Sequence, residues 1–325
     1  MQFKILGRTG ISVSALCAGT LAFGGDADEA ESLTMYGAYR DAGINFFDSA
    51  DIYAGGRSEA VLGGLVAHER DELIIASKCG FPTGGDASAQ GSGRQHLTRQ
   101  VEASLKRLGT DRLDIFLLHQ WYPDTPLDET LRCLEDLRHA GKVRFLGASN
   151  FAAWQVAKGL GISECQGWAR FDVLQPMYNL IKRQVESEIL PLAKAEQLAV
   201  TPYSPIAGGL LSGDYRDGKR PQRGRQTVNR EYAKRYSENW ELDCAANFAD
   251  FAEARGHHPV SLAVSWVASH PDVTCPIIGA LDVAQLQPSL QSLDIEMTAE
   301  LRAEIGKLSR QPPPAHDRSE TLDQE

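Results

Sequence analysis

Gly43-Ile44-Asn45-Phe46-Phe47-Asp48-Ser49-Ala50-Asp51-Ile52-Tyr53 carries the pattern from which the fold follows. A glycine closes a helical pattern, an apolar run follows at once, and that run stops on a carboxylate and a polar turn. Upstream, residues 29–40 carry helical periodicity. Asp28 is the expected N-cap, Gly43 the expected stop, and Leu33, Tyr36 and Gly37 the expected inner face. Downstream, residues 57–67 repeat the helical pattern. A strand set between two helices implies parallel strands joined by right-handed crossovers.

The same unit recurs in both directions. Strands are expected over 15–18, 46–48, 73–77, 115–119, 144–148, 173–175, 199–203 and 276–278. Further helices are expected over 95–108, 127–139 (with Pro126 where a first turn tolerates it), 151–158 and 185–196. Pro191 is an anomaly that kinks or divides the last of these. Residues 3–6 and 11–14, around the Gly7–Gly10 turn, read as an antiparallel hairpin. Between the seventh and eighth strands the chain is too long for one crossover, and extra helices are expected over 241–255 and 260–269. Eight strand–helix units are the number that closes an α/β (β/α)8 TIM barrel. An open doubly wound sheet should begin with a G-x-G-x-x-G turn, and Gly19-Thr20-Leu21-Ala22-Phe23-Gly24 lacks that spacing. One barrel domain is expected over 1–309, with a disordered polar tail over 310–325 that opens on Pro312-Pro313-Pro314. The Gly- and Ser-rich insertion over 81–95 is expected to be mobile.

Composition narrows the class. The 325 residues hold 33 Lys plus Arg against 43 Asp plus Glu, a formal charge of −10 that argues against a polyanionic partner such as nucleic acid. No apolar run reaches membrane-spanning length, and the first ten residues lack the apolar region of a signal peptide, so a cytoplasmic protein without membrane attachment is expected. Cys17, Cys79, Cys133, Cys165, Cys244 and Cys275 are scattered without a C-x-x-C pair. They read as reduced thiols rather than as disulfides or a metal site. A basic stretch (Arg216, Lys219, Arg220, Arg223, Arg225, Arg230) is either a solvated surface loop or a loop folding over an anionic ligand at the barrel mouth.

In a barrel of this kind polar residues at the C-terminal strand ends face the active-site mouth. Asp48, Lys78 and His119 end successive strands, and Tyr53 follows Asp48 in its loop. A lysine after Ile74-Ile75-Ala76-Ser77 needs an acid partner, which Asp48 on the adjacent strand supplies. A phenol beside that ammonium is expected to have its pKa drawn down towards neutrality, and His119 to donate a hydrogen bond to an oxygen. Taken singly, each residue has a structural explanation: a strand-end hydrogen bonder, a helix cap, a rim salt bridge. Four together on successive strands are harder to explain that way.

These residues lie in motifs that resemble the aldo-keto reductase family over residues 1–309. The motifs are the quoted stretch, Ser77-Lys78, Asp114 through His119, Gly141 through Phe151, Gln175-Pro176-Met177-Tyr178-Asn179, and Thr201-Pro202-Tyr203-Ser204-Pro205 through Gly208-Gly209-Leu210-Leu211-Ser212-Gly213. The resemblance implies a barrel binding NAD(P)(H) across its mouth and exchanging hydride with the carbonyl or alcohol carbon of an aldehyde, ketone or sugar-type substrate. It makes Tyr53 the general acid and base, tuned by Lys78 and Asp48, and has His119 orient the carbonyl oxygen. It places Ser149, Asn150 and Gln175 on the nicotinamide amide, Tyr203 on its ring, and Gly19 and Thr20 beside it. Ser204, Ile206, Gly208, Leu210 and Gly213 line the pyrophosphate path, and Gly279, Asp282 and Gln285 lie towards the adenosine end. Phe23, Tyr53, Trp121 and Tyr122 are expected to ring the substrate mouth, with Trp121 alternatively a packing residue.

Two departures concern the adenosine end. Asp214 stands where many relatives carry a lysine, and Leu281-Asp282 follows Ile278-Gly279-Ala280 where a basic or hydroxyl residue is common. Acids repel a 2′-phosphate but accept a hydrogen bond from a free ribose hydroxyl, so NAD(H) or dual use is expected. The alternative reading is a catalytically weak, cofactor-binding regulatory subunit of the same fold. Such a protein should show a damaged tetrad or an interaction segment such as a long N-terminal extension.

Overall fold

The computed structural model describes residues 1–85 and 89–317. The expected hairpin forms from β1 (Phe3–Ile5) and β2 (Ser12–Ser14), paired antiparallel through Phe3↔Ser14 and Ile5↔Ser12. Eight parallel strands follow: β3 (Cys17–Gly19), β4 (Phe46–Asp48), β5 (Ile74–Cys79), β6 (Leu113–Leu118), β7 (Val143–Ser149), β8 (Phe171–Gln175), β9 (Ala199–Val200) and β10 (Ile277–Ile278). From β3 to β9 each pairs with the next in sequence, and β10 pairs with β3. On the other side the chain leading into β10 bonds to β9 and beyond: Thr274 N donates to Val200 O at 2.9 Å and Ile277 N to Pro202 O at 2.8 Å. That seam closes the cylinder, and the (β/α)8 barrel is the fold.

Helices α1 (Glu29–Asp41), α2 (Arg57–Val66), α3 (Arg94–Leu108), α4 (Leu127–His139), α5 (Ala153–Gln166) and α6 (Ile189–Glu196) are the successive crossovers. Asp28 caps α1 as expected, its carboxylate accepting from Glu31 N at 2.9 Å. The inner face of α1 differs from expectation. Tyr36 turns inward as expected, but Leu33 is 57% exposed, and Met35 and Tyr39 share the inner face with Tyr36. The two tyrosines set their rings against Phe47, and this aromatic packing overrides the simple apolar count. Helix α5 runs eight residues past the expected 158 because Gly159 does not break it. A Cβ there would meet the Phe171 ring at 2.7 Å, so the glycine permits close helix–strand packing. Pro191 divides rather than kinks its segment. A 3₁₀ turn, Gln184–Glu186, precedes α6, and Pro191 then sits in the first turn of α6, where no intrahelical N–H is needed.

Between β9 and β10 lie α7 (Arg225–Val228), α8 (Arg230–Arg235), α9 (Asn239–Ala254) and α10 (Pro259–Ala268). Thus the described residues hold two short helices in addition to the two expected there. Helices α11 (Val283–Leu290) and α12 (Ala299–Gly306) follow the last strand. The expected mobile insertion falls partly on 86–88, outside the described residues. Around them the chain is tied down: Gly91 N donates to Gly80 O at 2.8 Å, and Thr83 N to Ala89 O at 3.0 Å. The expected tail falls partly on 318–325, also outside the described residues. In its described part Ser187 Oγ donates to Pro313 O at 2.6 Å, and the Arg310 guanidinium lies 4.6 Å from the Trp240 ring. Among the described residues no helix is long and apolar enough to cross a membrane.

One motif residue belongs to the far end of the barrel. Asp114, fully buried near the start of β6, meets Arg70 at 2.9 Å and Arg144 at 3.0 Å, and accepts from Ile75 N at 2.9 Å. It locks β5, β6 and β7 together at the end opposite the site.

Candidate active site

Parallel strands end on one rim, and the strand register assembles the site there. Asp48 ends β4, Ser149 ends β7 and Gln175 ends β8, while Lys78 lies one residue before the end of β5. His119 follows β6, Tyr203 follows β9 and Gly279 follows β10. Lys78 is completely buried. Its Nζ donates to Asp48 Oδ2 at 2.6 Å, to Ser49 O at 2.6 Å and to the Tyr53 hydroxyl at 3.3 Å. An ammonium has three protons, and all three are used. The Tyr53 oxygen therefore accepts from Lys78, and its own proton is free to point away, towards the mouth. Burial favours the neutral amine, but the Asp48 carboxylate and the Tyr53 phenol outweigh it and hold Lys78 above its ordinary range.

The Tyr53 phenol itself stands above its ordinary pKa. Burial raises it, Lys78 draws it back only in part, and Asp48 pushes it up again. This corrects the expectation of a fall towards neutrality, which counted the ammonium but not the desolvation. The phenol is held protonated, as a donor. His119 lies across the mouth with its ring centroid 6.1 Å from that of Tyr53. Burial, then the nearby Lys78 charge, lowers its pKa to about 2, so the imidazole is neutral. Its Nδ1 is buried without a hydrogen-bond partner among the described residues.

Around this group the other expected residues form one network. Gln175 Nε2 donates to Asp48 Oδ1 at 2.8 Å, and Ser149 Oγ donates to Gln175 O at 2.9 Å. Asn150, in the left-handed region at φ +59°, donates to His119 O at 2.9 Å and accepts from the Tyr203 hydroxyl at 2.7 Å. Thr20 is buried and bonded to Asp48 O and Ser58 Oγ, so it ties β3 to β4 and α2. Past Tyr203 the chain makes repeated left-handed turns at Ser204, Ala207, Gly208, Gly209 and Gly213, with Ile206 and Leu210 between them. Such turns make a concave backbone of the kind that holds anions. Farther along the rim Asp282 caps α11 through Gln285 N at 2.9 Å, and Gln285 Oε1 accepts from Leu281 N. Asp214 accepts from Ser212 Oγ at 2.8 Å.

The aromatic wall is only partly as expected. Phe23 is 1% exposed and packs into the core beside the turn after β3. Trp121 packs edge-on against Phe151 and Trp154, and Tyr122 donates to Gly80 O at 2.5 Å. Phe81, not anticipated, sets its ring 4.6 Å from His119. No periodicity marks it, since it lies in an irregular loop. Within the basic stretch the arginines take different partners. Arg216 is paired outward with Asp250 and Glu253. Arg225 instead flanks Tyr232, as does Arg235, at 5.2 and 4.6 Å from its ring centroid. Tyr232 covers the turn at Gly208, where a Cβ would meet its ring at 2.6 Å. Only the three-dimensional path of α8 brings it there.

The molecule is thus a closed α/β barrel with a buried lysine, carboxylate and imidazole and a half-buried phenol at its C-terminal rim. The aldo/keto reductase family profile matches residues 15–310, and the chain belongs to that family. It is 33% identical to an uncharacterized oxidoreductase, YrpG, of Bacillus subtilis, over 93% of this chain and 94% of the relative. It is 32% identical to a probable voltage-gated potassium channel subunit beta of Arabidopsis thaliana, over 91% and 92%. Norsolorinic acid reductase stcV of Emericella nidulans is 33% identical, over 91% of this chain and 78% of that protein.

Proposed function

We propose that the protein is an oxidoreductase that interconverts carbonyl compounds and alcohols with a nicotinamide dinucleotide. The observation that carries this reading is Lys78 Nζ held between Asp48 Oδ2 at 2.6 Å and the Tyr53 hydroxyl at 3.3 Å. When bound, the nicotinamide ring supplies or accepts the hydride. The unpartnered His119 Nδ1 and the concave turns over 204–213 suit such a group, with Ser149, Asn150, Gln175 and Tyr203 around the ring and Ser204, Gly208 and Gly213 along the phosphates. Tyr53 gives its proton to the carbonyl oxygen in reduction and recovers one in oxidation. Lys78 stabilises the phenolate left behind, so the raised pKa of the resting phenol does not block turnover. His119, neutral, aligns the same oxygen.

The acids Asp214 and Asp282 favour NAD(H) or dual use over strict NADP(H) dependence. Both already accept hydrogen bonds within the chain, and a 2′-phosphate near either would meet negative charge. The test is cofactor absorbance with NADH and NADPH against a panel of aldehydes, ketones and sugars. Turnover is expected with NADH at a kcat/KM no lower than with NADPH; a large NADPH advantage overturns the cofactor assignment. The relative named as a potassium channel subunit supports a second reading, a cofactor-binding regulatory subunit. Tight dinucleotide binding without turnover on the whole panel favours that reading over the first.

A further inference from the structure

Behind the rim lies a cluster that the carbonyl–alcohol reading does not use. Asp51, Cys79 and His96 each offer one ligand atom, and these atoms lie within 4.8 Å of one another. All three residues are buried, at 3%, 1% and 2% exposure. Neither carboxylate oxygen of Asp51 and neither ring nitrogen of His96 has a hydrogen-bond partner among the described residues. A buried carboxylate with no side-chain partner is costly as an anion; burial, then the nearby Glu59 charge, raises Asp51 to about 7, so it rests close to neutral and a bound cation would hold it ionised. The Arg107 and Lys78 charges offset this rise only in part. Lys78 spends its three protons on Asp48, Ser49 and Tyr53, and Arg107 is bonded to Glu59.

We propose that Asp51, Cys79 and His96 form a binding site for one divalent cation of the zinc class. A carboxylate, a thiolate and an imidazole are a donor set that zinc accepts, with a fourth position left for solvent. Bonds of about 2.0–2.3 Å put tetrahedral ligand atoms about 3.3–3.8 Å apart, so the side chains need close in by only about 1 Å. The charges also balance: one carboxylate and one thiolate neutralise a dication, which is what permits burial. Coordination releases the thiol proton, which burial otherwise holds tightly on Cys79.

The three side chains are held by separate elements. Asp51 is fixed by its N–H on Lys78 O at 3.0 Å, Cys79 ends β5, and His96 lies in the first turn of α3. Chain spacing therefore gives no motif, and the expectation of no metal site rested on spacing alone.

The test is equilibrium dialysis of the full chain with cobalt(II), then competition with zinc, followed by absorbance and thermal unfolding. One equivalent should bind with a thiolate-to-cobalt charge-transfer band, which Cys79→Ser abolishes. His96→Gln and Asp51→Asn should each weaken zinc binding by about tenfold or more. Zinc should raise the unfolding temperature of the wild type but not of Cys79→Ser. Replacing the exposed Cys165 by serine should change nothing. If Cys79→Ser fails to fold by circular dichroism, His96→Gln carries the same comparison. No charge-transfer band, a band that persists in Cys79→Ser, or zinc affinity indifferent to His96 and Asp51 overturns the site.

Discussion

Gln175 donates its side-chain amide to Asp48 Oδ1 at 2.8 Å, across 127 residues of sequence. Asp48 is thereby fixed through both oxygens, one on Lys78 and one on Gln175. The pair sets the orientation of the carboxylate that holds the ammonium under Tyr53.

Gln175→Leu should remove that second anchor. The buried Asp48 oxygen loses its donor, at a cost of about 1–3 kcal/mol in urea unfolding. Turnover should fall more than dinucleotide binding, since the loss acts through Lys78 on the proton donor. Equal stability of variant and wild type would contradict this role.

His119 provides a pH prediction. Its folded pKa is near 2, while a histidine in the unfolded chain titrates near about 6.5. Below about pH 6.5 the unfolded chain therefore binds a proton that the folded chain refuses. Stability falls on acidification, by up to about 1.4 kcal/mol per pH unit from this group, and the term is flat above pH 7. His119→Asn should flatten that acid limb in unfolding measured at pH 5 and pH 7. The His119 ring resonances should stay constant between pH 5 and pH 8; a titration within that range would contradict a buried neutral imidazole.

Asp114 tests the opposite end of the barrel. Asp114→Ala leaves Arg70, 12% exposed in its side chain, without its buried partner. A loss of about 3–5 kcal/mol in chemical unfolding is expected, with dinucleotide affinity in the surviving folded fraction unchanged. A loss below about 1 kcal/mol would make this a surface-type pair.

Much of this architecture is legible in the sequence because its signals are local. The run Phe46-Phe47-Asp48 is apolar up to a carboxylate, and that pattern gives both β4 and the rim position of Asp48. Lys78 and His119 are placed by the same rule. What depends on contacts distant in sequence is not legible. Tyr36 takes the inner face that its spacing predicts, but Leu33, expected beside it, is exposed, and Tyr39 takes the inner position because Phe47 receives its ring. That Phe23 is buried against the core depends on the turn after β3. Tyr232 reaches Gly208 only through the folded path of α8. The Tyr53 pKa fails for a related reason: neighbouring charge can be inferred from strand order, but the depth of burial cannot.

Tyr53→Phe isolates the phenolic proton donor. The ring and its packing stay, and only the hydroxyl that accepts from Lys78 is removed. In that variant kcat for carbonyl reduction should fall by about 10²–10⁴ while the dissociation constant of the reduced dinucleotide, read by fluorescence, stays within about twofold. Undiminished turnover would contradict Tyr53 as the proton donor.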